Sequence, residues 1–84
     1  MPDKTFIYTL STCGHCKRTK QFLRDHGVAF DYVDVDLTQG VERDSLIEEV
    51  KKYNPRCTFP TVLIGGRVIV GFKEDEIKEA LGLH

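Results

Sequence analysis

No stretch of the sequence approaches the ~20 consecutive apolar residues that a membrane-crossing helix requires, so the chain is expected not to span a membrane. Neither sign of charge is in excess, with 12 Lys and Arg against 13 Asp and Glu. A nucleic-acid binder usually carries a basic excess or stripe, so that class is not expected. The opening residues Met1-Pro2-Asp3-Lys4 lead into only a handful of apolar residues and lack the apolar region and cleavage site of a secretory leader. The expected compartment is therefore the cytoplasm. No internal repeat, low-complexity tract or linker interrupts the chain, and 84 residues favour one domain over residues 1–84, working as a monomer. The three cysteines, an odd number, do not suit a disulfide-stapled secreted domain. In a reducing compartment a Cys-x-x-Cys pair is more often catalytic or metal-binding than structural.

Hydrophobic periodicity is present throughout and alternates in kind, which predicts a mixed α/β architecture. Lys4 to Leu10 reads as a strand with Phe6, Tyr8 and Leu10 on one face. Ser11 and Thr12 offer cap-type side chains to a helix from Gly14 to His26, where Cys16, Thr19, Leu23 and His26 recur at helical spacing. Ala29 to Leu37 reads as a second strand, with Val33, Val35 and Leu37 alternating with Asp34 and Asp36. Strand, helix and strand in succession imply a parallel pair with a right-handed crossover. Val41 to Tyr53 forms a second helix, opened by Glu42 and Asp44 and closed by Lys51 and Lys52 as the helix dipole prefers. Thr61 to Ile64 and Arg67 to Val70 are short apolar runs joined by Gly65-Gly66, a hairpin signal in which both turn residues are expected at positive φ. Lys73 to Leu81 closes the order βαβαββα as a helix. The aromatics Phe6, Tyr8, Phe22, Phe30 and Tyr32 read as core.

The chemistry concentrates at Cys13-Gly14-His15-Cys16. The pair comes directly after a strand and opens a helix, where free backbone N–H groups favour an anion. A thiolate at Cys13 would receive that help. Cys16, three residues on, lies almost one turn away, so the two sulfurs can meet. Cys13 is then the exposed attacking thiolate and Cys16 the thiol that resolves the mixed disulfide. His15, between them, either stabilises the thiolate or is an exposed spacer. In the first case the site would be less reducing than a typical thioredoxin, because stabilising the reduced form makes the disulfide a stronger oxidant. Lys17, Arg18 and Lys20 add positive charge nearby or form a solvated helix face. A zinc half-site would need four ligands. Only Cys57, His15, His26 and His84 remain, without the usual spacing, so no metal is expected.

The run Tyr8-Thr9-Leu10-Ser11-Thr12-Cys13-Gly14-His15-Cys16 resembles a glutaredoxin. Thr58-Phe59-Pro60-Thr61 is similar to the family's Thr-Val-Pro turn, and Val70-Gly71-Phe72 stands where glutaredoxins carry a Gly-Gly pair. The resemblance spans nearly the whole chain. It implies a thioredoxin-like fold, with a four-stranded mixed sheet flanked by three helices, and a thiol–disulfide oxidoreductase with no tightly bound cofactor. It also implies a cis peptide before Pro60, with the backbone of Phe59 pairing with the bound thiol substrate. Thr58, Phe59, Pro60, Gly71, Phe72 and Lys17 are the substrate-binding candidates.

The sequence departs from the family at two places. Leu10 stands near the position of a lysine that often meets a glutathione carboxylate, a role open to Lys17. Gly-His separates the cysteines, as in protein disulfide isomerases. Gly71-Phe72-Lys73 resembles a segment of NrdH-type redoxins, which take electrons from thioredoxin reductase. The implied partners are disulfide-containing proteins, with either glutathione as co-substrate or a thioredoxin-reductase-type enzyme, including ferredoxin-linked ones, as the reductant. An iron–sulfur cluster-binding glutaredoxin and a zinc-stabilised interaction module are the alternatives. Cys57, three residues before Pro60, reads as a small buried hydrophobe, a target of glutathionylation or another partner for Cys13. Phe72, if exposed, would offer a docking patch.

Overall fold

The computed structural model describes residues 4–83. Met1 to Asp3, part of the stretch read for a leader, and His84, one of the histidines weighed for zinc, lie outside the described residues. The elements are β1 (Thr5–Thr9), α1 (Gly14–Asp25), β2 (Asp31–Asp34), α2 (Gly40–Tyr53), β3 (Thr61–Ile64), β4 (Arg67–Val70) and α3 (Glu74–Leu81), with a 3₁₀ turn over Val35–Leu37. The sheet runs β2-β1-β3-β4. β1 pairs parallel with β2 and antiparallel with β3, and β3 pairs antiparallel with β4. The order βαβαββα and the mixed sheet are those expected from the sequence.

Strand alternation divides the apolar residues between two faces. Ile7, Val62 and Ile69 stand opposite one another across three strands. They pack with Phe22 and Leu23 of α1 and Ile77 of α3. Tyr8 points to the other face and joins Val35 and Val50, with Phe6, Leu46, Ile47 and Leu63 packed around them. Helices α1 and α3 thus cover one side and α2 the other. β1 is paired on both edges and packed on both faces, so the turn at its C-terminal end starts from a fixed height.

Several expectations are corrected. β2 stops at Asp34 because its ladder partner, β1, ends at Thr9. Without a partner, the backbone closes on itself, with the Thr38 N–H and hydroxyl both donating to the Val35 carbonyl. Leu37 consequently points outward, at 67% exposure, instead of continuing a buried strand face. Tyr32 is also largely exposed, because β2 is an edge strand whose α1-facing side is only partly covered. In the β3–β4 turn only Gly65 of the glycine pair takes a left-handed φ, at +59°.

If the Ile7 row is the core, Ile7→Ala lowers the unfolding free energy by about 2–5 kcal/mol. Val41→Ala, at a side chain that is largely exposed, changes it by less than about 0.5 kcal/mol. Denaturant titration measures both, and equal effects would contradict this packing.

Candidate functional site

The chain leaves β1 at Thr9 and re-enters helix at Gly14, so Cys13 sits at the seam. The Leu10 carbonyl accepts the Cys13 N–H at 3.1 Å, closing the turn. Cys13 has extended backbone angles and is itself the N-cap of α1, its Sγ accepting the Cys16 N–H at 3.2 Å. The expected cap from Ser11 or Thr12 is therefore not used. Ser11 instead donates its backbone N–H to Asp36 Oδ1 at 2.8 Å and its hydroxyl to Asp36 Oδ2. These two bonds hold the Asp36 carboxyl below its usual range. They also fasten the cysteine turn to the segment after β2.

The two thiols occupy different environments. Both are free, with Cys13 partly exposed and Cys16 fully buried. Burial pushes the Cys16 thiol up to about 12, and hydrogen bonding and charge at Cys13 act in the same direction. A Leu10 backbone hydrogen bond and the Lys20 ammonium oppose the shift. Cys13 Sγ, by contrast, faces a backbone donor and lies 4.0 Å from the Phe59 carbonyl oxygen. The two sulfurs thus differ in exposure and in partners, one open at the helix mouth and one enclosed beneath it.

The opposing wall is the loop between α2 and β3. Its Phe59–Pro60 peptide is cis, as the resemblance implied, and Pro60 is buried. Asn54, buried at the end of α2, organises this loop. Its Nδ2 donates to the Thr58 carbonyl at 3.0 Å, the Thr58 hydroxyl at 2.9 Å and the Thr61 hydroxyl at 3.2 Å, while Oδ1 accepts the Arg56 N–H at 3.2 Å. Thr61 in turn donates to the Thr58 carbonyl at 2.8 Å. Gly71, after β4, donates its N–H to the Pro60 carbonyl at 2.8 Å. Its φ of +87° is a conformation that L side chains rarely adopt.

Of the residues singled out in the sequence, the structure brings Cys13, Cys16, Phe59, Pro60 and Gly71 together through these contacts, with the exposed Thr58 held by Asn54. His15 and Lys17 are exposed in the first turn of α1. Phe72 is partly buried, its ring edge-to-face with Phe22 at 5.8 Å between centroids, so most of it belongs to the core instead of a free patch. Cys57 is partly buried against the Tyr8 cluster, which fits a small packing residue, and its φ of +51° is uncommon for a non-glycine. Lys20 does not belong to a solvated face. Its ammonium pairs with Asp34 at 3.2 Å, with both side chains largely buried. Among the described residues no group of three His, Cys, Asp or Glu side chains is placed to hold a metal.

Sequence reasoning missed Asn54, Asp36 and the Lys20–Asp34 pair. Asn54-Pro55 signals a helix end, and only the two threonines four and seven residues later hint that its amide has partners.

A cysteine that caps a helix, a second cysteine buried beneath it and a cis-proline loop across from both define a redoxin-type dithiol site on a thioredoxin-like frame. The glutaredoxin family model matches residues 5–69. A glutaredoxin-like 8.6 kDa protein of the rubredoxin operon of Clostridium pasteurianum is 32% identical over 75 residues, covering 89% of this chain and 93% of that protein. The crystal structure of Methanosarcina acetivorans methanoredoxin superposes with a TM-score of 0.91 at 48% identity, over 96% of this chain and 86% of the other. The glutaredoxin of Methanosarcina mazei superposes with a TM-score of 0.87 at 52% identity, over 95% and 79%. The chain belongs to the glutaredoxin family, whose members are thiol oxidoreductases.

The geometry of the site sets its reactivity and its pH response. In the folded protein at pH 7–8, iodoacetamide modifies Cys13 well before Cys16, and mass mapping that finds equal labelling would overturn the asymmetry. Because the Cys16 thiol is raised from 9 to about 12, the folded state keeps a proton that the unfolded chain releases. That contribution to stability is complete below pH 9 and is lost as pH climbs to about 12, a slope that Cys16→Ser should flatten. Separately, Asn54→Ala leaves the Thr58 and Thr61 groups without their shared donor. It lowers stability by about 1–3 kcal/mol in a denaturant titration.

Proposed function

We propose that this protein is a dithiol electron carrier that reduces protein disulfides or glutathione mixed disulfides. The observation that carries the reading is the asymmetry of the pair: an accessible sulfur at a helix N-terminus and a buried thiol pushed up to about 12. Cys13 attacks the substrate disulfide as thiolate. One substrate sulfur leaves as thiolate and takes up a proton, and the other stays bonded to Cys13. Cys16 then loses its proton and attacks the Cys13 sulfur. This forms the Cys13–Cys16 disulfide and expels the second substrate thiolate, which is protonated in turn. Two electrons pass from the cysteines to the substrate.

The raised Cys16 thiol supports this order of events. It cannot compete as first nucleophile at neutral pH, and it reacts only when the neighbouring sulfur has become electrophilic. In this reading the edge formed by Thr58, Phe59 and Pro60 receives the substrate backbone beside Cys13. Gly71 and the accessible part of Phe72 extend that edge. Exposed Lys17 meets a carboxylate of glutathione in place of the lysine that Leu10 displaces. His15 stabilises the Cys13 thiolate. The carrier works in the cytoplasm as a monomer, without a bound cofactor. Its dithiol is regenerated by glutathione or by a thioredoxin-reductase-type enzyme.

Two coupled assays test this reading, each monitoring NADPH oxidation. One supplies glutathione, glutathione reductase and a small mixed disulfide, and the other thioredoxin reductase and a protein disulfide. Turnover is expected in at least one, with Cys13→Ser inactive in both and Cys16→Ser inactive toward the protein disulfide. No turnover in either assay, or full activity of Cys13→Ser, would reject it. Equilibration with a glutathione buffer is expected to give a potential less negative than the about −270 mV of thioredoxin. A value at or below that would remove the role given to His15.

A further inference from the structure

The ion pair behind the buried cysteine has no part in the exchange between the two thiols and the substrate disulfide. On the α1-facing side of the sheet, Tyr32 stands opposite Ile7 and Asp34 opposite Thr9. Lys20 descends onto this corner from α1, one turn after Cys16, and residues four apart on a helix are neighbours. Its ammonium is fixed twice, 3.2 Å from Asp34 Oδ1 and 3.9 Å from the centroid of the Tyr32 ring. Asp34 is fixed in turn by the Thr9 hydroxyl. The side chains of Lys20 and Asp34 are only 12% and 16% exposed.

Such an arrangement is hard to explain as a device for stability. Withdrawing two charges from water costs about as much as their attraction returns, and an apolar pair of similar size often does as well. Solvated lysines elsewhere on the chain show that α1 had no need to bury this one. What the burial does achieve is a cation of fixed position one helical turn along α1 from a thiol that is itself fully buried. Exposed Lys17 and Arg18, on the same helix, are screened by water and are not held this way.

We infer that Lys20, held by Asp34 and Tyr32, is a positioning and electrostatic residue for the second half of the reaction, in which Cys16 becomes a thiolate and attacks the Cys13 mixed disulfide. This rests on the dithiol reading of the cysteine pair. The chemistry gives it a specific place. During the first step Cys16 remains a thiol and needs no cation. During the second, its proton leaves and negative charge appears in a buried site. Of the two groups whose charge acts on that sulfur, Cys13 is by then neutral in the mixed disulfide, which leaves the Lys20 ammonium one helical turn away. The ammonium favours that charge and so raises the fraction of Cys16 able to attack. Asp34 serves Lys20 by fixing its position and preventing it from turning out to solvent. No proton need pass through either residue, since the one released by Cys16 is balanced by the one taken up by the departing thiolate.

The role can be separated from folding by timing the two steps. In a Cys57→Ser background, reaction with DTNB releases one thionitrobenzoate when Cys13 attacks and a second when Cys16 resolves the adduct, both read at visible wavelengths. Lys20→Met keeps the stem and removes the charge. Losing the cation lowers the thiolate fraction of Cys16, and part of that loss is returned because a more basic thiolate is a better nucleophile. The second phase of Lys20→Met is therefore expected to slow by about 3- to 10-fold at pH 7, with the first phase within about twofold of the parent. Lys20→Arg, which keeps the cation, is expected to restore most of the rate. A second phase unchanged in Lys20→Met would overturn the inference, as would equal slowing of both phases or equal slowing of the second phase in Lys20→Arg with its melting temperature retained. Mass analysis of the Cys57→Ser parent after both phases is expected to show a Cys13–Cys16 disulfide with no bound thionitrobenzoate. If it shows thionitrobenzoate left on either cysteine, the dithiol reading itself fails, whatever Lys20 does.

Discussion

The hydrogen bond from the Cys16 amide to the Cys13 sulfur is the contact around which the site is arranged. It exists because the chain passes from a central strand into a helix with only four residues between them. The helix must begin with unpaired backbone donors, and here a sulfur occupies the place that a hydroxyl or carboxylate usually takes. One cysteine is thereby placed at the helix mouth and the other one turn inside, where burial keeps it protonated. The same contact that starts the helix therefore also fixes where the accessible sulfur stands.

That junction would be useless if the wall opposite it could drift. The wall is a loop, which in isolation would have many conformations, and polar contacts fix it together with the packing of Cys57 and Phe59 against the Tyr8 cluster. Asn54 engages Arg56 and Thr58 of it from the end of α2, Thr61 closes it from β3, and Gly71 reaches it from the end of β4. Three consecutive elements thus converge on a few peptide groups. The sheet supplies the geometry, because β1 carries the cysteine turn and its neighbour β3 starts directly beyond the proline.

Much of this could be read from the residues alone. The strand before Cys13, the helix after it and the hairpin after Pro60 are dictated by apolar spacing and turn residues, and those positions delimit the site. The failures share a cause, which is that local patterns do not carry information about partners. Val35 and Leu37 alternate like a strand, yet a strand needs a neighbour, and β1 has already turned away. Tyr32 is aromatic and in a strand, yet lies on an edge. Lys20 is a charge among charges on a helix, and only the fold shows that Asp34 and Tyr32 stand beneath it. Asn54 looks like punctuation, and its bonding partners lie across a loop whose shape the sequence does not state.

The placement of the site at one pole has a consequence for the other. The first and last described parts of the chain, Lys4 and the end of α3, come together with Gly27 and Ile64 around a shallow apolar hollow of about 760 Å³, at the far end of β1 from the cysteines. The turns that carry the cysteines, the proline and Gly71 gather at one pole and the hollow lies at the other. A molecule seated in the hollow would therefore leave the sulfurs uncovered.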